Sequence, residues 1–328
     1  MEEERKVILD VKNLRLYYHT SAGIVKALDD VSFQLREGET LGLVGESGCG
    51  KTTTGMALLK MPSPPGVIEE GSHIIIDGED IVPLSDSKVR KDVRWEKIAM
   101  VFQGAMNSLT PVYTIGKLMY ETLNEHKPMP KEEAEKLMIE YLGYVGLPPE
   151  ILKRYPHELS GGMKQRVVIA TGLFLKPKVV ILDEPTTALD VIVQAQIINL
   201  LKKLKRQFDL SFIFITHDLS LEAEISDRIC VMYAGKIAEL GTNKQIYGDK
   251  PPLHPYTQKL LSATPLLHKK VDELSYIPGT PPNLITPPTG CRFHPRCHCT
   301  MDKCTKEIPP LIEVEPGHYV ACWRCVND

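Results

Sequence analysis

The chain has 328 residues, 43% of them hydrophobic and 25% charged, a balance that fits a globular protein of one large domain or two smaller ones. Its formal net charge of -3 argues against the basic stripe of a nucleic-acid binder, so no nucleic-acid partner is expected. No apolar run stands behind the opening MEEERK, so no secretory signal is expected, and the longest apolar runs, such as 167–175, fall short of the roughly 20 residues of a membrane helix. The cytosol is the expected compartment.

Residues 7–9, 14–18 and 31–35 read as strands, running or alternating apolar between turn residues. Leu41, Gly42, Leu43 and Val44 predict a short strand covered on both faces. A glycine-rich turn follows, and a helix opens at Lys51. Residues 131–147 carry leucine, isoleucine and tyrosine at helical spacing among charges, which predicts a helical insertion. A second buried strand is expected over 179–182, a helix over 191–205 and a third buried strand over 211–216. Strands alternating with helices imply an α/β fold with a mainly parallel sheet. From Pro251 onward the text turns proline-rich, which predicts a distinct C-terminal appendage. The expected division is 1–250, with a helical subdomain over about 104–160, and an extension over 251–328.

Gly45-Glu46-Ser47-Gly48-Cys49-Gly50-Lys51-Thr52 matches the pattern G-x-x-x-x-G-K-[ST], between a strand and a helix as that pattern requires. Glycines let backbone N–H groups converge on phosphates, and the helix N-terminus adds a favourable dipole. Lys51 is expected to reach the β- and γ-phosphates and the Thr52 hydroxyl to ligate magnesium, with Thr53 beside it. Four apolar residues then lead to Asp183 and Glu184, a strand carrying carboxylates out at its C-terminal end. Asp183 is expected to hold magnesium through water, and Glu184 to act as general base on the attacking water. An acidic pair after a strand is commonly a solvated turn, so this reading leans on the phosphate cradle upstream.

Leu159-Ser160-Gly161-Gly162-Met163-Lys164-Gln165-Arg166 resembles the signature motif of ABC transporter ATPases, with Met163 where glutamine is usual. The variant is similar to that of the oligopeptide and dipeptide importer branch and keeps the Ser-Gly-Gly core. The resemblance implies an ABC-type P-loop ATPase core. In it, Ser160, Gly161 and Gly162 grip the γ-phosphate held by a partner subunit. It also implies that Gln103 touches magnesium and senses the membrane subunits, and that Asp190 lies in a loop crossing the dimer interface. His217 would contact the γ-phosphate, and Tyr18 would stack on adenine, with Tyr17 as the alternative. A lone histidine or tyrosine in such a place is more often a cap or core residue; the ordered set of motifs carries the assignment. ATP and Mg2+ are the implied ligands, and ATP hydrolysis the implied activity.

The extension agrees with this branch. The stretch from Pro252 to Leu261 and Gly290-Cys291-Arg292-Phe293-His294-Pro295-Arg296-Cys297 resemble the C-terminal region of peptide-importer ATPases. Six of the eight cysteines lie from Cys291 onward, and a disulfide framework is not expected in a reducing cytosol. The spacing of Cys291, Cys297, Cys304 and Cys322 shows only that four thiolates could converge, which suits an iron–sulfur cluster or zinc. The resemblance implies a [4Fe–4S] cluster on those four, with zinc as the alternative because Cys299 and the Cys322/Cys325 pair stand close by. The implied partners are a second ABC ATPase subunit (a heterodimer being favoured), two transmembrane permease subunits and an extracytoplasmic substrate-binding protein, on the cytoplasmic face of the membrane. The implied cargo is dipeptides or oligopeptides. Oligosaccharide or nickel import, or a soluble non-transport ABC ATPase, are the alternatives.

Overall fold

The computed structural model describes residues 5–263 and 276–326. Strands β1 (Val7–Thr20), β2 (Gly23–Arg36) and β3 (Thr40–Val44) lead to helix α1 (Lys51–Leu58). Short strands β4 (Gly66–Ile68), β5 (His73–Ile76) and β6 (Glu79–Asp80) precede α2 (Asp86–Asp92) and β7 (Ile98–Val101). Helices α3 (Ile115–His126), α4 (Lys131–Tyr144) and α5 (Gly161–Gly172) follow, then β8 (Val179–Asp183), α6 (Val191–Phe208) and β9 (Ser211–Ile215). The chain continues through α7 (Leu219–Ile225), β10 (Arg228–Tyr233), β11 (Lys236–Thr242), α8 (Asn243–Tyr247) and α9 (Pro255–Ser262). It ends with α10 (Asp302–Lys306), β12 (Ile312–Glu315) and β13 (His318–Val320).

Two compact units emerge. The first holds residues 1–8, 36–38 and 76–213. Its strands β7 and β8 pair in parallel, Ile98 opposite Val179 and Val101 opposite Leu182, and every residue of both is buried. Such continuous apolar strands need cover on both faces. Helix α3 buries Ile115, Met119 and Leu123, one stripe at four-residue spacing, behind a Thr114 cap. Tyr141 of α4 lies among Tyr144, Phe174 and Phe208, with ring centroids 5.3 to 6.2 Å away. Each edge-on or stacked pair adds about 1 kcal/mol beyond its buried area. Helix α6 starts on an Asp190 cap, buries Ile197, Ile198, Leu201 and Leu204, and stops at Asp209 in the left-handed conformation. Lys205 and Arg206 in its last turn complement the helix dipole.

The second unit holds residues 9–35, 39–75 and 214–328. There β3 pairs in parallel with β10, and beyond β10 every pairing is antiparallel, through β11 and β13 to β12. The sheet is therefore mixed rather than mainly parallel. The cause is local. Ala234 and Gly235 both have positive φ and turn β10 straight back into β11, where a parallel partner would need a long crossover. A side chain at Gly235 would meet the Ala27 carbonyl oxygen at 2.6 Å, so the turn also depends on glycine for space. The proline-rich tail shares this unit. Its Tyr256 and Phe293 enter one apolar cluster with Val44, Ile229, Val231 and Tyr233, and its strand β13 adds to the edge of β11, Glu239 opposite Val320.

Candidate nucleotide site

The expected site residues fall in both units, and each unit builds its own set. In the second, the wholly buried β3 ends at Val44 and the chain enters the glycine loop. Gly45 has φ of +147°, and a side chain there would lie 2.2 Å from the Met232 carbonyl oxygen. Gly50, at φ +111°, caps α1 with no side chain, because one would strike Leu28 and the Ala27 carbonyl. Gly48 has positive φ with nothing within 4 Å of the place a Cβ would take, so the crest of the loop is open. Lys51 is only 9% exposed, and its ammonium lies within the loop's own curl, donating to the carbonyls of Gly45 at 2.7 Å and Glu46 at 3.1 Å. Ser47 and Thr52 stand exposed and Thr53 half-buried. The loop therefore offers a cationic group, a helix N-terminus and unobstructed backbone, the requirements of an anion cradle.

His217 follows β9 and is exposed, just before Asp218, whose carboxylate caps α7 by accepting from the backbone N–H groups of Ser220 and Leu221. The two tyrosines of β1 separate cleanly. Tyr17 donates to Asp29 Oδ1 at 2.7 Å, and Asp29 also receives Arg292. Tyr18 points the other way and lies over Gly66 of β4, leaving less than 3 Å for any Cβ there. Tyr18 is half-buried and takes no part in the Asp29 contact.

In the first unit, Asp183 ends β8 at 1% exposure and Glu184 follows at φ +48°, an uncommon conformation for a residue with a side chain. One carboxylate oxygen of Glu184 accepts both the Gln103 amide, at 2.8 Å, and the Thr187 hydroxyl, at 2.9 Å. The structure thus brings Gln103 and Glu184 into direct contact across 81 positions of sequence. Ser160 caps α5, its hydroxyl accepting from the Met163 N–H. Gly161 and Gly162 start that helix where side chains would press on Leu189 at 3.1 Å and Val193 at 2.7 Å. Asp190, besides its expected place in an interface loop, has the local task of capping α6 through the Val193 N–H.

All eight cysteines are free thiols. Cys291, Cys297, Cys304 and Cys322 line a single small cavity in the tail, joined there by Cys299 and His254, whereas Cys325 lies outside its lining. The Cys291 N–H donates to the Cys304 carbonyl at 2.8 Å, which ties the two segments together. Burial, with neighbouring thiols adding to it, pushes Cys291 up to about 11 and Cys322 up to about 12. Among the described residues no group of three or more metal-ligating side chains is already arranged around one point. The donor chemistry of the cavity fits a thiolate-held group; a coordination geometry is not in place.

The ABC transporter family model matches residues 28–187, and the model for the oligopeptide/dipeptide transporter C-terminal region matches residues 238–304. The oligopeptide transport ATP-binding protein OppD of Bacillus subtilis is 47% identical over 98% of this chain and 90% of its own length. The protein of the same name in Escherichia coli is 44% identical over 100% of this chain and 96% of its own length. The chain belongs to the oligopeptide/dipeptide branch of the ABC transporter ATP-binding family. The dipeptide transport ATP-binding protein DppD of Bacillus subtilis is likewise 44% identical, over 96% of this cassette protein and 94% of its own length. Among solved structures, an ATP-binding cassette dimer in a post-hydrolysis state with ADP and Pi superposes with a TM-score of 0.63 at 28% identity, covering 72% of the chain and 98% of that cassette.

Three polar residues of this ABC cassette were not legible in its motifs. Thr187 shares the Glu184 oxygen with Gln103. Tyr256 and Arg296, far along in the tail, both hold Glu46 of the phosphate cradle. No sequence pattern joins positions so distant. The nearest signal was that Tyr256 and Arg296 sit inside the two tail strings that resemble the C-terminal region of peptide-importer ATPases.

Proposed function

We propose that the chain is the ATP-hydrolysing subunit of an ABC importer that drives uptake of oligopeptides or dipeptides. The observation that carries the reading is the clasp on Glu184, a half-buried carboxylate oriented by Gln103 and Thr187 right after a buried strand. A general base needs such orientation within hydrogen-bond reach of its water. The cradle from Gly45 to Thr53 holds the phosphates, Lys51 meets the β- and γ-phosphates, and Tyr18 stacks on adenine. Thr52, Gln103 and Asp183 each bring an oxygen of the kind magnesium takes. Magnesium, when bound, neutralises charge on the phosphates. His217 contacts the γ-phosphate, and Ser160, Gly161 and Gly162 serve the nucleotide of a second ATPase subunit. Asp190, with Val191 and Ile192 exposed beside it at 79% and 73%, fits a surface that such a subunit covers.

No helix among the described residues is long and apolar enough to cross a membrane. The translocation path in this proposal belongs to two permease subunits, engaged from the cytoplasmic face through the helical region of about 104–160, with an extracytoplasmic protein delivering the cargo. The peptide cargo rests on the relatives' names and on the C-terminal match, and these favour it over oligosaccharide, nickel or a non-transport role. Deleting the chain and measuring uptake of a labelled oligopeptide is the direct test. Uptake should stop and return with the parent chain but not with a Lys51→Ala form. Unchanged peptide uptake in the deletion strain would transfer the cargo to another class.

For the tail we propose a [4Fe–4S] cluster on Cys291, Cys297, Cys304 and Cys322, the set the family resemblance implies; all four line one cavity, together with Cys299, while Cys325 of the zinc-like pair lies outside it. Its thiolate bonds would staple a segment that brings only a few side chains to the core.

A further inference from the structure

The glycine loop is anchored by the C-terminal tail. Glu46, its second residue, is held at two points. Its backbone N–H donates to the Tyr256 hydroxyl at 2.9 Å, and its carboxylate takes both ends of the Arg296 guanidinium, Nη1 at 2.7 Å and Nη2 at 2.9 Å. Such a fork on a carboxylate is the strong, directional form of a charged hydrogen bond. The Arg296 side chain is 5% exposed, so this pair is only weakly screened.

The arginine is itself fixed from the tail side. Its Nε donates to the Pro278 carbonyl at 2.7 Å, Nη2 also to Ile277 at 3.3 Å, and Nη1 also to the Tyr233 hydroxyl at 3.2 Å. All five donors of the guanidinium are thereby used. Its carbon lies 5.7 Å from the Tyr233 ring centroid, within cation–π range. Tyr256 is fully buried in the apolar cluster. Both grips on Glu46 come from residues with no freedom of their own. The rest of the loop is tied by Lys51, which donates to the Gly45 and Glu46 carbonyls, by the Cys49 N–H on the Glu46 carbonyl at 3.2 Å and by the Gly235 N–H on the Cys49 carbonyl at 2.9 Å. Its crest at Ser47 and Gly48 is exposed, and the glycines at 45, 48 and 50 leave its backbone many alternatives in the absence of restraint.

We propose that Arg296 and Tyr256 are positioning residues for ATP binding: by clamping Glu46 they set the glycine loop in its phosphate-accepting shape in advance, so that the tail contributes to nucleotide affinity without touching nucleotide. The inference rests on the reading of residues 45–52 as the phosphate site. Preorganisation lowers the ordering cost that binding would otherwise meet. Loosening the clamp should weaken ADP and ATP alike, since the loop surrounds the phosphates both share.

The test uses the full-length chain and isothermal titration with ADP and with ATP, well below the melting temperature. Arg296→Met should raise both dissociation constants by about tenfold, the scale of one lost preorganising contact. Glu46→Gln should do much the same, and the double variant should add little, because both changes remove a single interaction. Tyr256→Phe removes only the hydroxyl; it keeps the question answerable where Arg296→Met does not fold, and should weaken binding by a few-fold. A purely structural arginine would lower the melting temperature of the nucleotide-free chain and leave both constants within twofold of the parent. That result overturns the clamp, as do strictly additive effects at 46 and 296. Lys51→Ala separates the two levels: if it binds ADP as the parent does, the phosphate-site reading fails; if it loses binding while Arg296→Met does not, only the clamp fails.

Discussion

Glu184 has a backbone that few residues adopt and a side chain that two neighbours hold in place. Strain of this kind persists where surroundings over-determine it, and it gathers at functional sites. Glu184→Gln preserves the shape and both neighbours but removes the basicity. ATP turnover should fall by about 10²- to 10⁴-fold, the range for loss of a general base, with ATP binding retained. Near-normal hydrolysis by the variant would remove Glu184 from that role. The tyrosine pair divides just as clearly. Tyr17→Phe should leave ATP affinity near the parent value, because Tyr17 is committed to Asp29. Tyr18→Ala should cost about 1 kcal/mol, several-fold in affinity, if its ring carries the adenine; the opposite ranking would reassign the stack. At this scale the sequence was most informative where chemistry is local. The cradle's glycines and Lys51 sit a few positions apart at one strand end and helix start, and Asp183 and Glu184 are sequence neighbours at the end of β8. It was silent about Thr187, whose partner is decided by a turn, and about Tyr17 against Tyr18, decided by which face of β1 meets Asp29.

Among the elements, the buried strands and amphipathic helices were plain in the periodicity, while the direction of pairing was not. Beyond β10 it depends on a two-residue turn at Ala234 and Gly235, and an Ala-Gly pair is a weak turn signal beside Asn-Gly. That turn exposes the edge of β11 to β13, and a buried carboxylate secures the junction. Glu239 of β11 accepts from the backbone N–H groups of Leu253 and His254 and pairs with His318 of β13 at 2.8 Å. Burial opposes its ionisation, but His318, Thr257 and the two N–H groups together hold its carboxyl below the ordinary range. His254, wholly buried, caps α9 by accepting the Tyr256 N–H on Nδ1, and burial drives it down to about 4. A group with a depressed pKa stabilises the fold above its unfolded value, and that contribution drains away as pH falls toward the folded one. For His254 the window runs from pH 6.5 to 4, on the order of 2 kcal/mol by pH 5. Thermal melts of the full chain should therefore drop steeply from pH 6.5 to 5. Asn at 254 caps without titrating, so His254→Asn should flatten the slope. Parallel pH profiles for parent and variant would exclude the histidine as the source.

At the scale of the whole molecule, the tail that the composition marked as an appendage is continuous with the phosphate-site unit in both its apolar cluster and its strands. Composition hides this because proline-rich text carries little periodicity, and Tyr256 and Phe293 look isolated in it. Its cysteines add a demand that packing does not meet. Thiols pushed as high as about 11 and 12 stay neutral at physiological pH, so any metal held there must displace their protons, and its binding free energy becomes folding free energy for the segment. Anaerobically purified protein should show a broad visible absorption near about 400 nm and contain about four irons with matching sulfide, as thiolate-held [4Fe–4S] clusters do. Cys304→Ser should lose most of that iron and melt lower, since Cys304 is buried and lines the thiol cavity. Cys325→Ser, outside the cavity, should retain both colour and iron. A colourless chain with one zinc that Cys325→Ser releases would instead place the metal on the Cys322/Cys325 pair. The chain would remain an ABC ATPase in either case, with its tail fastened by different chemistry.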